Sequence, residues 1–503
     1  MQIKRLFLLV VCLAAVLATI AAQRTPRRAL PNHRRVQRVL LISIDGFHAV
    51  DLANYVKLRP NSALARLSTH GITYTNAATS FPSNSWPGLT ALITGGSSVS
   101  TGIIFENNYD RSLSPPGSDC STRGTDVILD GSIDINNKAL DGGGGIDPNK
   151  LPRDPSKGCK PVYPHDFLRV NTIFEAIHEA GGRTAWSDKH LAYDFINGPS
   201  GHGVDDLFTP EVRNASASRN LPNIEQFDDL RVEALIHEID GRDHTGSKPA
   251  AVPTIFGMNF QAVSAGQKIK GDFGYADANG TPTANLLDAM DHTDRSIGRM
   301  LDELQAKGLA QSTLVIVTAK HGDTPIDPAK SQPADLSIIP AVVEGVQKGL
   351  LARANQDGSV ALIWLKDQSR TNDVVTALRA QQAKARIQQI FAGESLKLRF
   401  NDPLTDPRVP DIIIQPELGT IYVEPGDFIA EHGGMADPDV HVALLLSMPQ
   451  LEARTIKSPV QTMQVAPTIM KTLGLDPNLL RAVQIEKTAA LPGLRFDADF
   501  GPE

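Results

Sequence analysis

Residues 39–44 read VLLISI, apolar or β-branched at every position but one, and they stop at Asp45-Gly46. A run this short with no polar face suits a strand covered on both sides, which is the interior of a parallel sheet. Comparable runs lie at 72–76, 183–186, 254–260, 314–318, 360–365, 411–415 and 440–447. Helical spacing falls between several of them. It is clearest over 285–307, where Leu286, Leu287, Met290, Ile297, Met300, Leu301 and Leu304 recur at threes and fours, and a shorter helix is expected over 61–69. Alternating strand and helix imply a largely parallel sheet with helices on both faces. Such sheets carry their chemistry beyond the carboxyl ends of the strands. Polar residues that directly follow an apolar run therefore come first: Asp45, Gln261, and the pair Lys320-His321.

The 503 residues include 49 Lys and Arg against 56 Asp and Glu, a net charge of -7. That balance argues against binding a nucleic-acid polymer, which needs a basic footprint, but leaves room for a small anion. Lys4 and Arg5 precede an apolar run over 6–22 that ends in Ala21-Ala22, the pattern of a secretory signal peptide cleaved after residue 22. A retained anchor is the competing reading, yet Arg24, Arg27, Arg28, Arg34, Arg35 and Arg38 would then stand outside, against the positive-inside bias. Export leaves Cys120 and Cys159, which suit one disulfide in an oxidising compartment; two free buried thiols are the alternative. Asn214-Ala215-Ser216 and Asn279-Gly280-Thr281 match the glycosylation pattern.

Taken singly, the polar candidates are unremarkable. Asp45 could be a turn former. Ser85, in FPSNSWPG before the apolar stretch 89–93, stands at a helix N-terminus. A serine there is ordinarily a cap, but the same amides stabilise an anionic oxygen or a phosphate. His321 and His432 each precede glycine near an apolar strand, where a backbone turns sharply and an imidazole can ligate a metal. Lys189 or His190, after the run at 183–186, could reach the same pocket. Neither a GxxxxGK phosphate loop nor HExxH occurs, and Ser200 lacks the G-x-S-x-G spacing.

The order of Ile44-Asp45-Gly46-Phe47, FPSNSWPGLTALITG, AKHG, EHGG and Val465-Ala466-Pro467-Thr468-Ile469 resembles the type I phosphodiesterase and nucleotide pyrophosphatase family of the alkaline phosphatase superfamily, over most of 38–475. The resemblance implies a three-layer α/β/α sandwich around a mostly parallel sheet. It makes Ser85 the nucleophile and Asp45, His321 and His432 ligands of one or two divalent ions, with zinc the first choice. The family's phosphate-contacting Asn falls at Glu106, with Asn107 beside it. Two departures stand out. Lys320 replaces the Asp of the family's Asp-His-Gly, and Gln261 with Ala265 replaces its Asp and ligand His. Lys320 is then expected to supply charge in place of a missing metal by contact with a phosphoryl oxygen; recruitment of Asp323 or Asp327 to rebuild the site is the alternative.

The expected organisation is a signal peptide over 1–22, a basic arm over 23–37, one catalytic domain over 38–106 and 166–475, an inserted cap over 107–165 tied by the disulfide, and an extension over 476–503. The function implied is a secreted, metal-assisted hydrolase of phosphodiester or pyrophosphate bonds in a small phosphorylated substrate, working through a phosphoserine, with no stable membrane anchor. A non-catalytic anion-binding relative is the alternative. A phosphomonoesterase or sulfatase ranks below both, because Ser85-Trp86-Pro87-Gly88-Leu89 lacks the Arg that formylglycine formation needs.

Overall fold

A computed structural model describes residues 36–212, 219–423 and 428–494. The expected signal peptide, almost all of the basic arm and Asn214 lie outside the described residues.

The VLLISI run forms β1 (Arg38–Ile44) in the middle of a nine-stranded sheet. Its side chains alternate between two separate cores. Val39 and Leu41 pack on one face, and Leu40, Ile42 and Ile44 on the other. That double burial is why the run has no polar face. The chain continues through α1 (Ala49–Leu58), α2 (Ala63–Thr69), β2 (Gly71–Ala78) and α3 (Ser85–Thr94). The insertion supplies β3 (Asn107–Asp110) and β4 (Thr125–Ile128), and after it come α4 (Ile173–Glu179), β5 (Thr184–Ser187), β6 (Asp206–Phe208) and α5 (Leu221–Ile239). Then follow β7 (Ile255–Phe260), α6 (Ala262–Lys268), α7 (Ala284–Ala306) and β8 (Thr313–Thr318). Strands β8, β1, β7, β5 and β6 lie side by side and parallel. In α7 the spaced residues Leu286, Met290, Ile297, Met300 and Leu304 are all buried against the sheet.

Two of the expected strands belong elsewhere. After α8 (Ile338–Val346), the chain builds β9 (Leu351–Asp357), β10 (Val360–Leu365), α9 (Thr371–Ala380), β11 (Ile387–Ala392) and β12 (Ile412–Pro416). These strands form a separate antiparallel sheet, β9-β10-β12-β11, with its own core of Ile339, Val343, Ile363, Val374, Leu378 and Ile414 among others. The runs at 360–365 and 411–415 are apolar on both sides because this small sheet is also covered twice. It is fastened to the main body by ion pairs. Arg169 grips Asp406 through two bonds of 2.6 and 2.8 Å, and Arg408 bonds Asp110 at 3.1 Å and the Phe167 carbonyl at 2.6 Å.

The chain re-enters the main sheet as β13 (His441–Ser447), antiparallel to both β8 and β2, and β14 (Arg454–Ile456) and β15 (Val460–Gln461) pair with β2. Helices α10 (Val465–Thr472) and α11 (Arg481–Glu486) close the core that α3 occupies. The insertion contains the β3-β4 hairpin and short 3-10 turns, and Cys120 and Cys159 are joined in a disulfide.

Candidate active site

Four neighbouring parallel strands end at one place, and polar residues follow each within two positions. Asp45 follows β1; Gln261 follows β7; Asp188 and Lys189 follow β5; Lys320 and His321 follow β8 after Ala319. Helix α3 brings Ser85 to the same point. Asn84 caps the helix, its Oδ1 accepting from the Trp86 N–H at 3.3 Å and the Glu106 N–H at 3.1 Å. The close approach depends on Gly88, where a Cβ would lie 2.1 Å from the carbonyl oxygen of Lys320. Ser85 Oγ consequently sits 3.2 Å from His321 Nε2, which is itself 3.6 Å from Asp45 Oδ1. On the other side of the ring, Nδ1 is 3.6 Å from Asp323 Oδ1.

His432 arrives from outside the main sheet. Its carbonyl accepts from the Ser359 N–H, in the turn joining β9 to β10, at 2.9 Å. The imidazole lies against that of His321, ring centroids 3.9 Å apart, with Asn84 Nδ2 3.5 Å from its Nδ1. The second sheet thus delivers one wall of the site. Ser85, Asp45 and His321 form a floor that is 0 to 1% exposed, while Lys189, Gln261, Glu431 and His432 are partly open to solvent above it.

Lysines dominate the electrostatics. Lys320 Nζ is 3.2 Å from Asp188 Oδ1, 3.1 Å from the Tyr193 hydroxyl and 3.7 Å from Asp45 Oδ1. Lys189 Nζ donates to Gln261 Oε1 at 3.0 Å and is 3.6 Å from Asp45 Oδ2, while the Gln261 amide donates to that same oxygen at 2.5 Å. Burial alone would raise the Asp45 pKa, but Lys320, then His321 and Lys189, hold it well below the usual carboxylate range. Burial lowers the Lys320 pKa against the pull of Asp188 and Asp45. Burial also lowers His432, helped by His321, Lys268 and Lys189, so its imidazole is neutral at pH 7. Lys268, at the end of α6, lies 3.0 Å from Glu431 Oε2 and 3.4 Å from Asp323 Oδ1. Burial works against its charge, and those two carboxylates more than offset it.

The family model for type I phosphodiesterase / nucleotide pyrophosphatase matches residues 39–165 and 252–434, spans that include every element just described except β5. The chain belongs to this family. Its members are hydrolases of phosphoester bonds. No curated protein matches the sequence. Among solved structures, murine ectonucleotide pyrophosphatase / phosphodiesterase 5 is similar at 16% identity with a TM-score of 0.57, over 88% of this chain and 96% of that one. An inactive variant of the murine protein has been solved with AMP. The alkaline phosphatase PafA is similar at 11% identity with a TM-score of 0.59, over the same shares, and the human phosphodiesterase 5 at 15% and 0.55, over 87% and 95%. These likenesses establish the alkaline-phosphatase-like α/β fold.

The phosphodiesterase family is metal-dependent, and a divalent ion needs several donors free of competing cations. Asp45, His321 and His432 do converge. Yet among the described residues no group of three or more His, Cys, Asp or Glu side chains is arranged to hold a metal ion. Lys320 Nζ is 3.7 Å from Asp45 Oδ1, so an ion bound to that oxygen at about 2 Å would lie no more than about 6 Å from the ammonium. At an effective dielectric constant of about 20, that repulsion is at least about 5 kcal/mol for a double against a single charge. Gln261 and Ala265 offer neither carboxylate nor imidazole. The residues do not fit the one- or two-ion zinc centre that the resemblance implies.

The other expected site residues fall variously. Asn107 donates its amide to Asp357 Oδ2 at 3.1 Å, and its carbonyl accepts from Asn355. Burial first, with half-buried Glu106 contributing, raises the pKa of the Asp357 carboxyl, to about 7, and of the Tyr193 phenol. Asp323 joins the site, whereas Asp327 caps a surface turn. Lys189 joins it, and His190 turns aside to Glu211. Asn279 is exposed. Sequence reasoning missed Asp188, Tyr193 and Lys268. Asp188 was legible, since it follows an apolar strand as Asp45 does. Tyr193 and Lys268 carry no such signal.

Proposed function

We propose that the chain is a secreted hydrolase of phosphodiester or pyrophosphate bonds in a small nucleotide-like substrate, with Ser85 as the nucleophile. The observation that carries this is the 3.2 Å approach of Ser85 Oγ to His321 Nε2 at the N-terminus of α3, in a family of phosphodiesterases. In the first step Ser85 Oγ attacks phosphorus, its proton passes to His321 and from there to the leaving oxygen as that bond breaks, giving a phosphorylated Ser85. Asp45 and Asp323, on opposite sides of the His321 ring, stabilise the imidazolium that forms. In the second step water attacks phosphorus and gives a proton to His321, and the Ser85 oxygen takes that proton as its bond to phosphorus breaks, restoring the hydroxyl. The positive end of the α3 dipole favours the phosphoryl oxygens.

The AMP complex of the murine neighbour supports a nucleotide-like ligand, and an exported chain agrees with the leader pattern and the Cys120–Cys159 disulfide. Exposed Asn279 then becomes a glycan acceptor. Among the described residues no helix is long and apolar enough to cross a membrane. The internal pairing of Lys320 with Asp188 favours one second reading, a non-catalytic anion-binding relative. Hydrolysis of bis-p-nitrophenyl phosphate and of a dinucleotide separates the two. Ser85→Ala should lower kcat by at least about a thousandfold with the thermal transition unchanged. A wild-type protein that hydrolyses neither, with or without added zinc, refutes the hydrolase.

A further inference from the structure

We propose that this site works with built-in cations, Lys189, Lys320 and Lys268, in place of resident divalent ions, and that Lys189 is the one that contacts a phosphoryl oxygen. The proposal rests on the reading that Ser85 faces a phosphoryl group.

Each departure from a metal-binding donor set is matched by an ammonium reaching the same place. Lys320 stands immediately before His321 at the end of β8, and its Nζ lies between Asp45 and Asp188, at 3.7 and 3.2 Å. Across the floor, Gln261 replaces a carboxylate. Its amide closes on Asp45 Oδ2 and its carbonyl oxygen accepts from Lys189, so one neutral side chain links the acid to a second cation. One turn along α6, Ala265 offers no ligand atom where the resemblance expects an imidazole. Lys268 lies three residues further on, on the same face of the helix, and its ammonium reaches Asp323 and Glu431 beside His432.

The three ammoniums are not equivalent. Lys320 is fully buried and held by Asp188; Lys268 is bonded to Glu431. Among the described residues no carboxylate lies within hydrogen-bond distance of Lys189, whose ammonium donates to the neutral Gln261, and its side chain is 17% exposed at the rim of the site. An ammonium with spare donors above a buried nucleophile is placed to meet an incoming oxyanion as a point charge. Lys320 and Lys268 then hold the carboxylates of the floor in place, as positioning residues.

The test uses the full chain, treated with EDTA and then freed of chelator. Zinc content after equilibration with zinc, the thermal transition with and without zinc, orthovanadate binding by calorimetry, and diester hydrolysis in excess EDTA are measured together. The expected result is substoichiometric zinc, an unmoved transition, and hydrolysis unaffected by EDTA. Lys189→Met should lower kcat/KM about a hundredfold and abolish vanadate binding with its thermal transition intact, and Lys189→Arg should recover part of both. Lys320→Asp, which restores a carboxylate beside Asp45 and His321, should gain tight zinc. One or two zinc ions held by the wild type, with hydrolysis lost in EDTA and restored by zinc, overturns the proposal and leaves the hydrolase reading standing. If no diester is cleaved under any condition, the hydrolase reading falls. Vanadate binding by the zinc-free protein, lost in Lys189→Met, then still supports the cation assignment, and its absence overturns that too.

Discussion

Replacing Gly88 by alanine tests how the nucleophile is held in reach of its base. Gly88 lies in the first turn of α3, and a Cβ there would stand 2.1 Å from the Lys320 carbonyl oxygen and 2.8 Å from the carbonyl carbon. Both belong to backbone fixed by β8, so no rotamer change relieves the contact. Real Cβ atoms essentially never come closer than 3.0 Å, and α3 must therefore withdraw by about 1 Å. The Ser85–His321 separation of 3.2 Å then stretches to about 4 Å, past hydrogen-bond range. A misplacement of about 1 Å costs about a hundredfold in rate, while the overpacking itself costs about 1–3 kcal/mol of stability. The assay is kcat and KM on bis-p-nitrophenyl phosphate beside thermal unfolding. Lys189 and His432 stand on other elements, so kcat should fall far more than KM rises. Gly345, in α8, is the control. Nothing lies within 4 Å of a Cβ there, and Gly345→Ala should leave kcat unchanged and add about 0.5 kcal/mol. Full activity in Gly88→Ala with a normal thermal transition would show that α3 does not set the distance between nucleophile and imidazole.

The disulfide closes a loop of 39 residues, and the chain-entropy relation gives about 4 kcal/mol for that length. Cys120→Ala with Cys159→Ala should open the insertion to proteolysis within 107–165 before the rest of the chain, and equal digestion rates would count against it. Asp406 joins the second sheet to the main body. Burial opposes its ionisation, but the Arg169 bonds prevail and bring its pKa from 3.8 to about 2. The folded-state value is depressed, so the stability it contributes, about 2 kcal/mol, is present above pH 3.8 and lost as pH falls towards 2. Asp406→Asn should be less stable than wild type in urea at pH 7, with the gap narrowing below pH 3.8; a gap independent of pH would contradict the assignment.

Much of the site was legible because its residues obey one spatial rule. Asp45, Gln261, Lys320 and His321 each stand just past an apolar strand, and parallel strands whose ends align bring them together whatever lies between. Ser85 was legible for another local reason, its place at the start of an apolar helix. The second sheet was not. A strand covered on both faces looks the same in a parallel and a small antiparallel sheet, so 360–365 and 411–415 joined the main series by pattern alone. Their true partners, β9 and β11, are only half-buried, with burial mixed along their length. His432 depends on that sheet, so its histidine-glycine turn could be flagged while the element that carries it to His321 could not.

Lys268 shows where local pattern stops being informative. As a lysine in the last turn of a helix it is what a helix C-terminus favours in any protein, and nothing in its neighbours marks it as an interior cation. Its meaning comes from Ala265 three residues earlier, Asp323 after β8, and Glu431 beside His432, three segments separated by more than a hundred and sixty positions end to end. Lys320 was conspicuous because it contradicted an expected carboxylate. Lys189 and Lys268 contradict nothing locally, yet together with Lys320 they give Asp45, Asp188, Asp323 and Glu431 an ammonium within 4 Å. A single lysine in place of an aspartate would read as damage to a metal centre. Three, each set against the carboxylates on its own side of the floor, read as a site rebuilt around fixed charge, and the zinc content of Lys320→Asp against wild type is the measurement on which that distinction turns.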